Sequence, residues 1–549
     1  MTKSKMDVLF VVPRNVQDFA VGTVPDAIEP PAKARFMMAY LWRRGCSQAI
    51  IDTNLTDYSP EEVAKEVVAA DPLFVMMPVY GYNPSASTQT MVLVRQFTQA
   101  IKNLAPQLPI MFSGTHPAAI PAKTLMDESI DYVCVGEGPI TVYEMIQALR
   151  AGGAYSDICK VRALVHWDKT TEDSVVVRNA PAPLLDLNEE PAIDGWKYMD
   201  PRNYVAHHWQ AFYQGMDKRM PYANPYSREG CPFGCGFCNI QSTYRDGEMI
   251  LRNQGQLKAG VNSFRALRPE LFVQEVEHLV ETYGVKMFKI PDEMFMLGDH
   301  WKQIFKMITE CYGDALNFWS YARVDTFRPE DMEIYRAGGG RWAALGIEAA
   351  NSQVRSGQDK RFNDDLIHRR VEAMHAAGIE GALNYIFGLE NDTMETMEET
   401  FKLACELNGM YGNFYCAQAL PGANSLYREA KVAGFPLPER RGGPGWMGHA
   451  QYSWESEPCY LGNALTPAQV LEFRDKAHVA YYRRPEYRAK LLGDPNFGEI
   501  AMNNIDDWMK TIEELPRKLL GHPRLREQGK ENLRGFDQYV ADHIAPPVI

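Results

Sequence analysis

Short apolar runs alternate with helical patterns over the first 150 residues of the chain. The runs that predict buried strands are Val8–Pro13, Ala49–Asp52, Phe74–Pro78, Ile110–Ser113 and Tyr132–Val135. Stretches with apolar positions three and four residues apart predict helices between them, over about 32–44, 87–104 and 141–151. This alternation predicts an α/β domain with a doubly wound, Rossmann-like parallel sheet. Ligands of such sheets bind at the carboxyl ends of the strands.

A proline-rich connector follows this first domain. Two β-prone runs within it, Ala163–Trp167 and Ser174–Arg178, flank a polar turn and predict a hairpin. Six strand-plus-helix repeats come next, and their predicted strands are Asn224–Arg228, Val285–Pro291, Phe318–Ala322, Ala343–Ile347, Gly381–Phe387 and Asn413–Ala417. Six repeats predict a partial (β/α)6 barrel with its chemistry at the carboxyl ends of the strands. The expected boundaries are 1–155 for the first domain, 156–205 for the linker with its hairpin, 206–430 for the barrel, and 431–549 for a loop and a mostly helical cap.

Composition narrows the classes of protein that fit this pattern. The 549 residues are 46% hydrophobic and 23% charged, which is typical of globular domains. A formal net charge of −13 without a long basic run argues against nucleic acid as a partner. The run Val8–Val12 is too short for a signal peptide, and no run reaches membrane-spanning length. Seven of the ten cysteines are scattered without a disulfide pattern, so we expect a cytoplasmic protein.

The other three cysteines lie in Ser227–Gln241, SREGCPFGCGFCNIQ. Cys231, Cys235 and Cys238 are spaced C-x3-C-x2-C, and small residues between them let a short loop turn three thiolates toward one centre. Three thiolates suit an iron–sulfur cluster with one iron left open, whereas structural zinc normally has a fourth ligand. A zinc knuckle or a chance cluster of cysteines is the alternative.

The spacing, with the aromatic Phe237 just before the third cysteine, resembles the signature of the radical S-adenosylmethionine (SAM) enzymes. The resemblance implies a catalytic [4Fe–4S] cluster whose metal ligands are Cys231, Cys235 and Cys238. It also implies that SAM binds the open iron and is cleaved to a 5′-deoxyadenosyl radical. The electron would come from an external donor of the flavodoxin or ferredoxin type.

Charged residues follow the predicted barrel strands at their carboxyl ends. In the family that this chain resembles, such positions contact SAM, and the resemblance implies that role for Phe237, Asp292, Glu293, Arg323 and Glu348. Asp292 or Glu293 would receive the SAM amino group, and Arg323 would bind the SAM carboxylate as a bidentate partner. Phe237 would pack on the adenine. Solvated loop charges and a core aromatic residue are the alternatives.

Loops of the first domain carry a second resemblance, to the cobalamin-binding domain found ahead of many radical SAM cores. It rests on Ser113–Pro117 and Asp131–Gly138. The resemblance implies cobalamin contacts from Pro13, Tyr80, Tyr82, Gly114, Thr115, His116, Gly136, Glu137 and Gly138. Because the usual D-x-H-x-x-G motif is absent, we expect base-off cobalamin without a histidine ligand and with Tyr80 or Tyr82 beneath the cobalt. The alternatives are a module with another ligand or none, and a His116 satisfied by backbone.

Together the two resemblances imply a cobalamin-dependent radical SAM enzyme, and most such enzymes are methyltransferases. We expect methyl transfer from methylcobalamin to an unactivated carbon or a phosphinate phosphorus, after hydrogen abstraction by the 5′-deoxyadenosyl radical. Arg440, Arg441 and His449 lie in a glycine-rich loop that suits a small anionic substrate from a natural-product pathway such as antibiotic biosynthesis. An ordinary exposed loop is the alternative. The rival functions are ring contraction or cyclisation without methyl transfer, and a non-enzymatic cobalamin or redox sensor.

Overall fold

A computed structural model describes residues 5–14, 27–82, 86–168, 170, 174–211, 219–244, 248, 263–356, 358, 360, 362–423, 425–435, 437–439, 460–495 and 498–521. Two sheets, one from each half of the chain, organise these residues. No helix among them combines the length and the apolar composition that a membrane crossing requires.

The first sheet has seven strands: β1 Met6–Val12, β2 Gln48–Asp52, β3 Pro72–Pro78, β4 Ile110–Ser113, β5 Tyr132–Cys134, β6 Leu164–Asp168 and β7 Val175–Arg178. Their order is β2-β1-β3-β4-β5-β6-β7, and β1 to β5 are parallel. Because the winding reverses between β1 and β3, the carboxyl ends of these two strands form a switch point at which ligands bind.

Helices cover both faces of the first sheet because its central strands are apolar on both sides. Val8, Phe10 and Met76 belong to one core, whereas Leu9 and Val75 belong to the other. Such two-sided burial is typical of parallel sheets. The helices of this half are Ala32–Trp42, Pro60–Ala70, Ser87–Leu104, Thr115–Ala119, Pro121–Asp127, Pro139–Arg150 and Tyr155–Ile158.

The predicted hairpin exists as β6 and β7, but it belongs to the first sheet. β6 pairs antiparallel with β5, with Tyr132 opposite His166, and β7 pairs antiparallel with β6. The expected linker from residue 156 onward therefore contributes two strands to the first sheet. Local pattern predicts a hairpin but does not reveal which open sheet edge it will join.

The second half forms the strands β8 Tyr222–Ala223, β9 Arg228–Glu229, β10 Arg265–Ala266, β11 Met287–Ile290, β12 Asn317–Arg323, β13 Gly340–Glu348, β14 Glu380–Phe387 and β15 Tyr411–Cys416. Six of them make a parallel sheet in the order β15-β14-β13-β12-β11-β8, which is the half-barrel expected from sequential repeats. The first barrel strand ends before the predicted Asn224–Arg228, because Arg228 and Glu229 pair antiparallel with β10 instead.

Helices of this half connect the barrel strands and then form the helical C-terminal part of the fold. They are Pro269–Tyr283, His300–Tyr312, Pro329–Ala337, Ser352–Ser356, Asp364–Ala376, Met394–Leu407, Leu426–Val432, Pro467–Arg483, Pro485–Leu492 and Gly498–Gly521. The helix Pro467–Arg483 lies along β15, where the Tyr482 hydroxyl donates a hydrogen bond of 2.8 Å to the Gly412 carbonyl. It therefore covers one edge of the half-barrel, which would otherwise expose unpaired backbone groups.

The segment between the two sheets contains the 3-10 helices Ile193–Tyr198 and Pro201–Asn203 and the short α-helix His208–Ala211, and Ile240–Tyr244 forms a third 3-10 helix after the cysteine loop. Trp196 and Trp209 from this segment are buried in the same apolar core as the barrel strands and one face of the first sheet. The two halves thus share one continuous core, which holds the carboxyl ends of both sheets in a defined relation.

Candidate active site

A cavity of about 330 Å³ lies at the carboxyl ends of the barrel strands. Cys231, Cys235 and Cys238 all line it, as the sequence predicts. The remaining lining comes from Tyr82, Tyr226, Phe233, Phe237, Asn239, Ile240, Pro291, Glu293, Met294, Tyr321, Ala322, Arg323, Ala344, Gly346, Glu348, Lys360, Asn384, Ile386, Tyr415, Cys416, Ala417, Gln418 and Leu420. The fold therefore brings the three cysteines together with residues from all six barrel strands or the loops after them.

Backbone contacts hold the cysteine loop in shape. The Cys238 amide donates to the Cys235 carbonyl at 3.0 Å, and the amides of Ser425 and Leu426 both donate to the Gly236 carbonyl at 3.1 Å. A β-carbon at Gly236 would lie 2.7 Å from the Ser425 hydroxyl, so a larger residue there would displace that side chain. The loop is thus fixed against the segment that follows the last barrel strand.

Three cysteine sulfurs at one cavity suit an iron–sulfur cluster with one iron left open. Tetrahedral zinc would need sulfurs about 2.3 Å from one centre, whereas the ligands of a four-iron cluster bind separate irons. Burial raises the pKa of Cys231 to about 12, so positive charge from iron is needed to keep its thiolate.

Of the two predicted acidic residues after β11, Glu293 lines the cavity and Asp292 does not. The Glu293 side chain is 6% exposed, and its Oε2 is buried without a hydrogen-bond partner. Burial raises the pKa of Glu293 to about 8, although Lys33, 3.9 Å away, opposes that shift. Asp292 instead accepts a hydrogen bond of 2.8 Å from the Ser227 amide and anchors the chain ahead of the cysteine loop.

Arg323 and Glu348 both line the cavity, and each has a partner that the sequence did not indicate. Glu348 forms a buried ion pair with Lys360, whose ammonium also donates to the Gly346 carbonyl at 2.8 Å. Arg323 binds Asp325 through Nε and Nη2, each at 2.9 Å from a carboxylate oxygen. Both cationic side chains of the described lining therefore lie beside a carboxylate.

Phe237 is the predicted aromatic contact, and it lies between the cavity and an apolar cluster. That cluster includes Ala349, Ile386 and Ala417, against which the ring packs. Next to it, Gln418 is 4% exposed and both ends of its side-chain amide lack a hydrogen-bond partner. Sequence reasoning missed Gln418, because a polar residue after a strand carries no distinctive motif.

A second cavity, of about 50 Å³, lies at the carboxyl ends of β1 and β3. Pro13, Tyr80 and Tyr82 from the predicted cobalamin set line it, and the Tyr80 hydroxyl is buried without a hydrogen-bond partner. An unpartnered hydroxyl in this wall is consistent with a polar ligand at the switch point. Tyr82, Tyr226 and Pro291 line both cavities, so the two sites share one wall. Only Tyr82 of these three was predicted.

The other six predicted cobalamin contacts, Gly114, Thr115, His116, Gly136, Glu137 and Gly138, lie outside the described lining of that cavity. His116 is buried, its Nδ1 lies 3.0 Å from the Thr88 hydroxyl, and burial lowers its pKa to about 3. The Thr115 carbonyl accepts from Ser242 at 3.1 Å, next to the cysteine loop. Glu137 pairs with Arg265 and accepts from the Leu185 amide at 2.8 Å. Thr115 and Glu137 thus connect the two halves of the chain, whereas the described contact of His116 lies within the first half.

Two further charged pairs join the halves beside the cavities. Glu29, from the loop before the first helix, pairs with Lys289 of β11 at 2.7 Å, and Lys33 pairs with Glu229 at 2.6 Å. The Lys289 ammonium also donates to the Tyr82 carbonyl at 3.1 Å. These partners come from distant parts of the chain, so no local pattern in the sequence indicated them. Arg440, Arg441 and His449, the predicted substrate contacts, lie outside the described residues.

Comparisons with known proteins agree with this geometry. Residues 20–146 match the B12 binding domain, and residues 227–404 match the Radical SAM superfamily. An uncharacterised methyltransferase of Pyrococcus horikoshii is 23% identical over 486 residues, which cover 88% of this chain and 94% of that protein. An anaerobic magnesium-protoporphyrin IX monomethyl ester cyclase of Rubrivivax gelatinosus is 26% identical over 391 residues, which cover 70% of this chain and 63% of the cyclase.

Solved structures share the fold. The radical SAM methyltransferase TsrM of Kitasatospora setae, with cobalamin and a [4Fe–4S] cluster bound, has a TM-score of 0.58 and 17% identity, covering 80% of this chain and 77% of TsrM. Another TsrM structure holds a tryptophan substrate and a SAM analogue. The cobalamin-dependent radical SAM enzyme OxsB, with aqua-cobalamin bound, has a TM-score of 0.59 and 12% identity. The match covers 98% of this chain and 84% of OxsB.

A B12-binding domain and a radical SAM half-barrel thus meet in one chain, with three cysteines at their junction. The chain thus carries the two domains that define a cobalamin-dependent radical SAM enzyme. Its cofactors are a [4Fe–4S] cluster, SAM and cobalamin.

Proposed function

We propose that this enzyme transfers a methyl group to a small-molecule substrate. The observation that carries the proposal is the shared wall of Tyr82, Tyr226 and Pro291, which borders both the cysteine-lined cavity and the cavity at the first sheet. A substrate held at this wall would be within reach of both cofactors from one position. Holding reacting groups in such an arrangement replaces a bimolecular encounter and lowers the entropic part of the barrier.

When bound, the cluster with SAM supplies a radical that abstracts hydrogen, and cobalamin supplies the methyl group. The chain's own residues would hold these groups in place. Cys231, Cys235 and Cys238 would ligate the cluster, and Phe237 would pack on the adenine of SAM. Glu293, with its unpartnered Oε2, would accept hydrogen bonds from the SAM amino group. The buried pair Glu348–Lys360 and the amide of Gln418 would orient SAM or the substrate.

Tyr80 is our proposal for the residue beneath the cobalt. Its hydroxyl is buried and unpartnered, whereas the Tyr82 hydroxyl already donates to the Ala27 carbonyl at 2.9 Å. The hydroxyl of Tyr80 can therefore turn toward a ligand. We infer that Tyr82 instead borders the cobalamin ring through its position in the shared wall.

The charges of the described cavity bear on the class of substrate. Arg323 and Lys360 are its cationic lining residues, and each lies beside a carboxylate. Binding of an anionic substrate, methylated either at carbon or at a phosphinate phosphorus, would therefore depend on Arg440 and Arg441. Arg440→Ala and Arg441→Ala should weaken binding of such a substrate. Neither variant should change the rate at which the enzyme cleaves SAM when no substrate is present. Unchanged affinity for methylphosphinate and for a carboxylate analogue in both variants would remove this substrate class.

Methyl transfer has a rival within the same family. The cyclase relative, at 26% identity, favours cyclisation without methyl transfer. The Pyrococcus horikoshii relative favours methyl transfer, because the match spans 94% of a protein described as a methyltransferase. We place methyl transfer first because that relative matches along nearly its full length, whereas the cyclase is matched over 63% of its own.

The experiment that separates these functions is an anaerobic SAM turnover assay. The reconstituted protein with cobalamin receives titanium(III) citrate and SAM, and 5′-deoxyadenosine and S-adenosylhomocysteine are quantified. Both products should form, and a Cys235→Ala variant should form no 5′-deoxyadenosine. Deoxyadenosine without S-adenosylhomocysteine would favour the cyclisation rival. Neither product from fully loaded protein would favour a cobalamin or redox sensor.

A further inference from the structure

Arg323 lies against the cysteine loop rather than in open cavity space. Its Nη1 lies 3.6 Å from the Cys235 sulfur, within hydrogen-bonding range for sulfur. The guanidinium also lies over the Phe233 ring, 4.0 Å from the ring centre. Arg323 is 7% exposed. Arg323 therefore points one N–H group at a proposed cluster ligand.

Asp325 fixes this orientation. The carboxylate binds Nε and Nη2 of Arg323, which form one edge of the planar guanidinium, and leaves Nη1 for the sulfur. Asp325 is two residues from Arg323 in the turn after β12, so the pair forms within one short segment. The guanidinium is thus held in a set geometry, which a flexible lysine would not reproduce.

We propose that Arg323 sets the reduction potential of the [4Fe–4S] cluster, with Asp325 as its positioning partner. This inference rests on the proposed ligation of the cluster by Cys231, Cys235 and Cys238. One-electron reduction adds negative charge to the cluster and its thiolates. A cation that donates a hydrogen bond to a ligating sulfur stabilises the reduced state more than the oxidised state, and so raises the potential. Asp325 lowers the net charge at this position and limits the increase.

The role differs from the one that the sequence suggested, in which Arg323 binds the SAM carboxylate. In the structure, one edge of the guanidinium is taken by Asp325 and Nη1 faces Cys235. The two roles predict different measurements. A SAM contact changes the affinity for SAM, whereas a cluster contact changes the potential in the absence of SAM.

The test is an anaerobic redox titration of the reconstituted protein without SAM, followed by electron paramagnetic resonance of the reduced cluster. Arg323→Met should lower the ratio of reduced to oxidised cluster at a fixed potential at least tenfold, which is about 59 mV for one electron. Asp325→Asn should shift the ratio in the opposite direction, because it removes the negative charge and keeps an oxygen for the guanidinium. Arg323→Gln removes the positive charge but keeps an N–H group that can donate to the sulfur. Its ratio of reduced to oxidised cluster should therefore lie between those of wild type and Arg323→Met.

Arg336→Met is the matched control, because Arg336 pairs with Asp314 ahead of β12, at the opposite end of the barrel strands. It should leave the potential unchanged.

Equal potentials in Arg323→Met and wild type would overturn the proposal, and a weaker affinity for SAM in that variant would then support the carboxylate role. If Arg323→Met fails to assemble a cluster, the direction of the Asp325→Asn shift decides. A Cys235→Ala protein with a full cluster signal would refute the ligand assignment itself, which is a separate failure.

Discussion

Glu29 and Lys289 form an ion pair of 2.7 Å although they lie 260 positions apart in the sequence, and both side chains are 2% exposed. Glu29 lines the cavity at the first sheet, and Lys289 belongs to barrel strand β11. His207, from the segment between the sheets, also contacts Glu29 at 3.2 Å. One buried carboxylate thus connects three parts of the chain next to the proposed cofactor sites.

Removing one member of this pair should be costly. Lys289→Met leaves the Glu29 carboxylate buried beside one histidine, and we expect it to lower the free energy of unfolding by about 3–5 kcal/mol. Urea denaturation of the apoprotein measures this loss. The double variant Glu29→Gln/Lys289→Met should recover most of it, because no unpaired charge remains. If the double variant is as unstable as the single one, the loss comes from packing rather than from charge.

The three cysteines of the loop should each be required for iron binding. Cys231→Ala, Cys235→Ala and Cys238→Ala should each lose most of the cluster iron, because three thiolates are the protein ligands available to it. Cys311→Ala is the control, since Cys311 is exposed and outside the cavity. Iron content and the visible absorbance of the reconstituted proteins are the measurements. Full iron content in any of the three loop variants would contradict the assignment.

Asp292 should make stability fall with increasing pH. Burial raises its pKa from 3.8 to about 7, so between these values the folded protein holds a proton that the unfolded chain has released. Stability is therefore lost as pH rises through this window. Asp292→Asn should remove this dependence. As pH rises toward 7, the free energy of unfolding of the variant should therefore gain on that of wild type by up to about 1.4 kcal/mol per pH unit.

Chemical denaturation of wild type and Asp292→Asn at several values between pH 5 and pH 8 checks this expectation. Asparagine can still accept the hydrogen bond from the Ser227 amide, so the loop contact is retained. A difference between the two proteins that stays constant over this range would show that Asp292 is already ionised at the acidic end. It would also show that burial is offset by the hydrogen bonds that Ser227 provides.

Tyr80 and Tyr82 offer a matched pair for the cobalamin site. Tyr80→Phe removes an unpartnered hydroxyl, so the apoprotein should be as stable as wild type or slightly more so. Tyr82→Phe removes a hydroxyl that donates to the Ala27 carbonyl, and should cost about 1 kcal/mol. Thermal unfolding of the apoproteins measures both effects.

Cobalamin binding provides the second readout for this pair. If the Tyr80 hydroxyl faces the cofactor, Tyr80→Phe should weaken binding of cob(II)alamin, followed by absorbance, without any loss of protein stability. Unchanged affinity in Tyr80→Phe would exclude the hydroxyl as a cobalamin contact. A destabilised Tyr80→Phe apoprotein would instead mean that the hydroxyl has a structural hydrogen bond.

Local sequence signals were sufficient for the elements and for the cysteine loop. Apolar runs predicted strands such as Phe74–Pro78 and Gly381–Phe387 within one or two residues of β3 and β14. The C-x3-C-x2-C spacing identified a loop whose three cysteines do line one cavity. These features depend on neighbours in the sequence, such as side-chain periodicity and short loop geometry, and so they are readable without tertiary information.

The contacts of the residues around that loop were harder to predict, because the tertiary structure decides which neighbours their side chains meet. Glu348 pairs with Lys360, and Arg323 contacts both Asp325 and the Cys235 sulfur. The sequence predicted Glu348 and Arg323 as SAM contacts and indicated none of these partners. Glu137, one of the predicted cobalamin contacts, pairs with Arg265 of the other half. Motif position indicates which end of a strand a residue occupies, but it does not indicate which neighbour its side chain meets.

By itself, the sequence determined the two α/β halves, the cysteine loop and the class of cofactors. Only the tertiary structure decided that β6 and β7 extend the first sheet, that Tyr226 and Pro291 border both cavities, and that Glu29 meets Lys289. The physical reason is that hydrophobic periodicity and turn chemistry act over a few residues. Sheet edges, shared cavities and buried ion pairs instead depend on how the apolar faces of separate elements pack together.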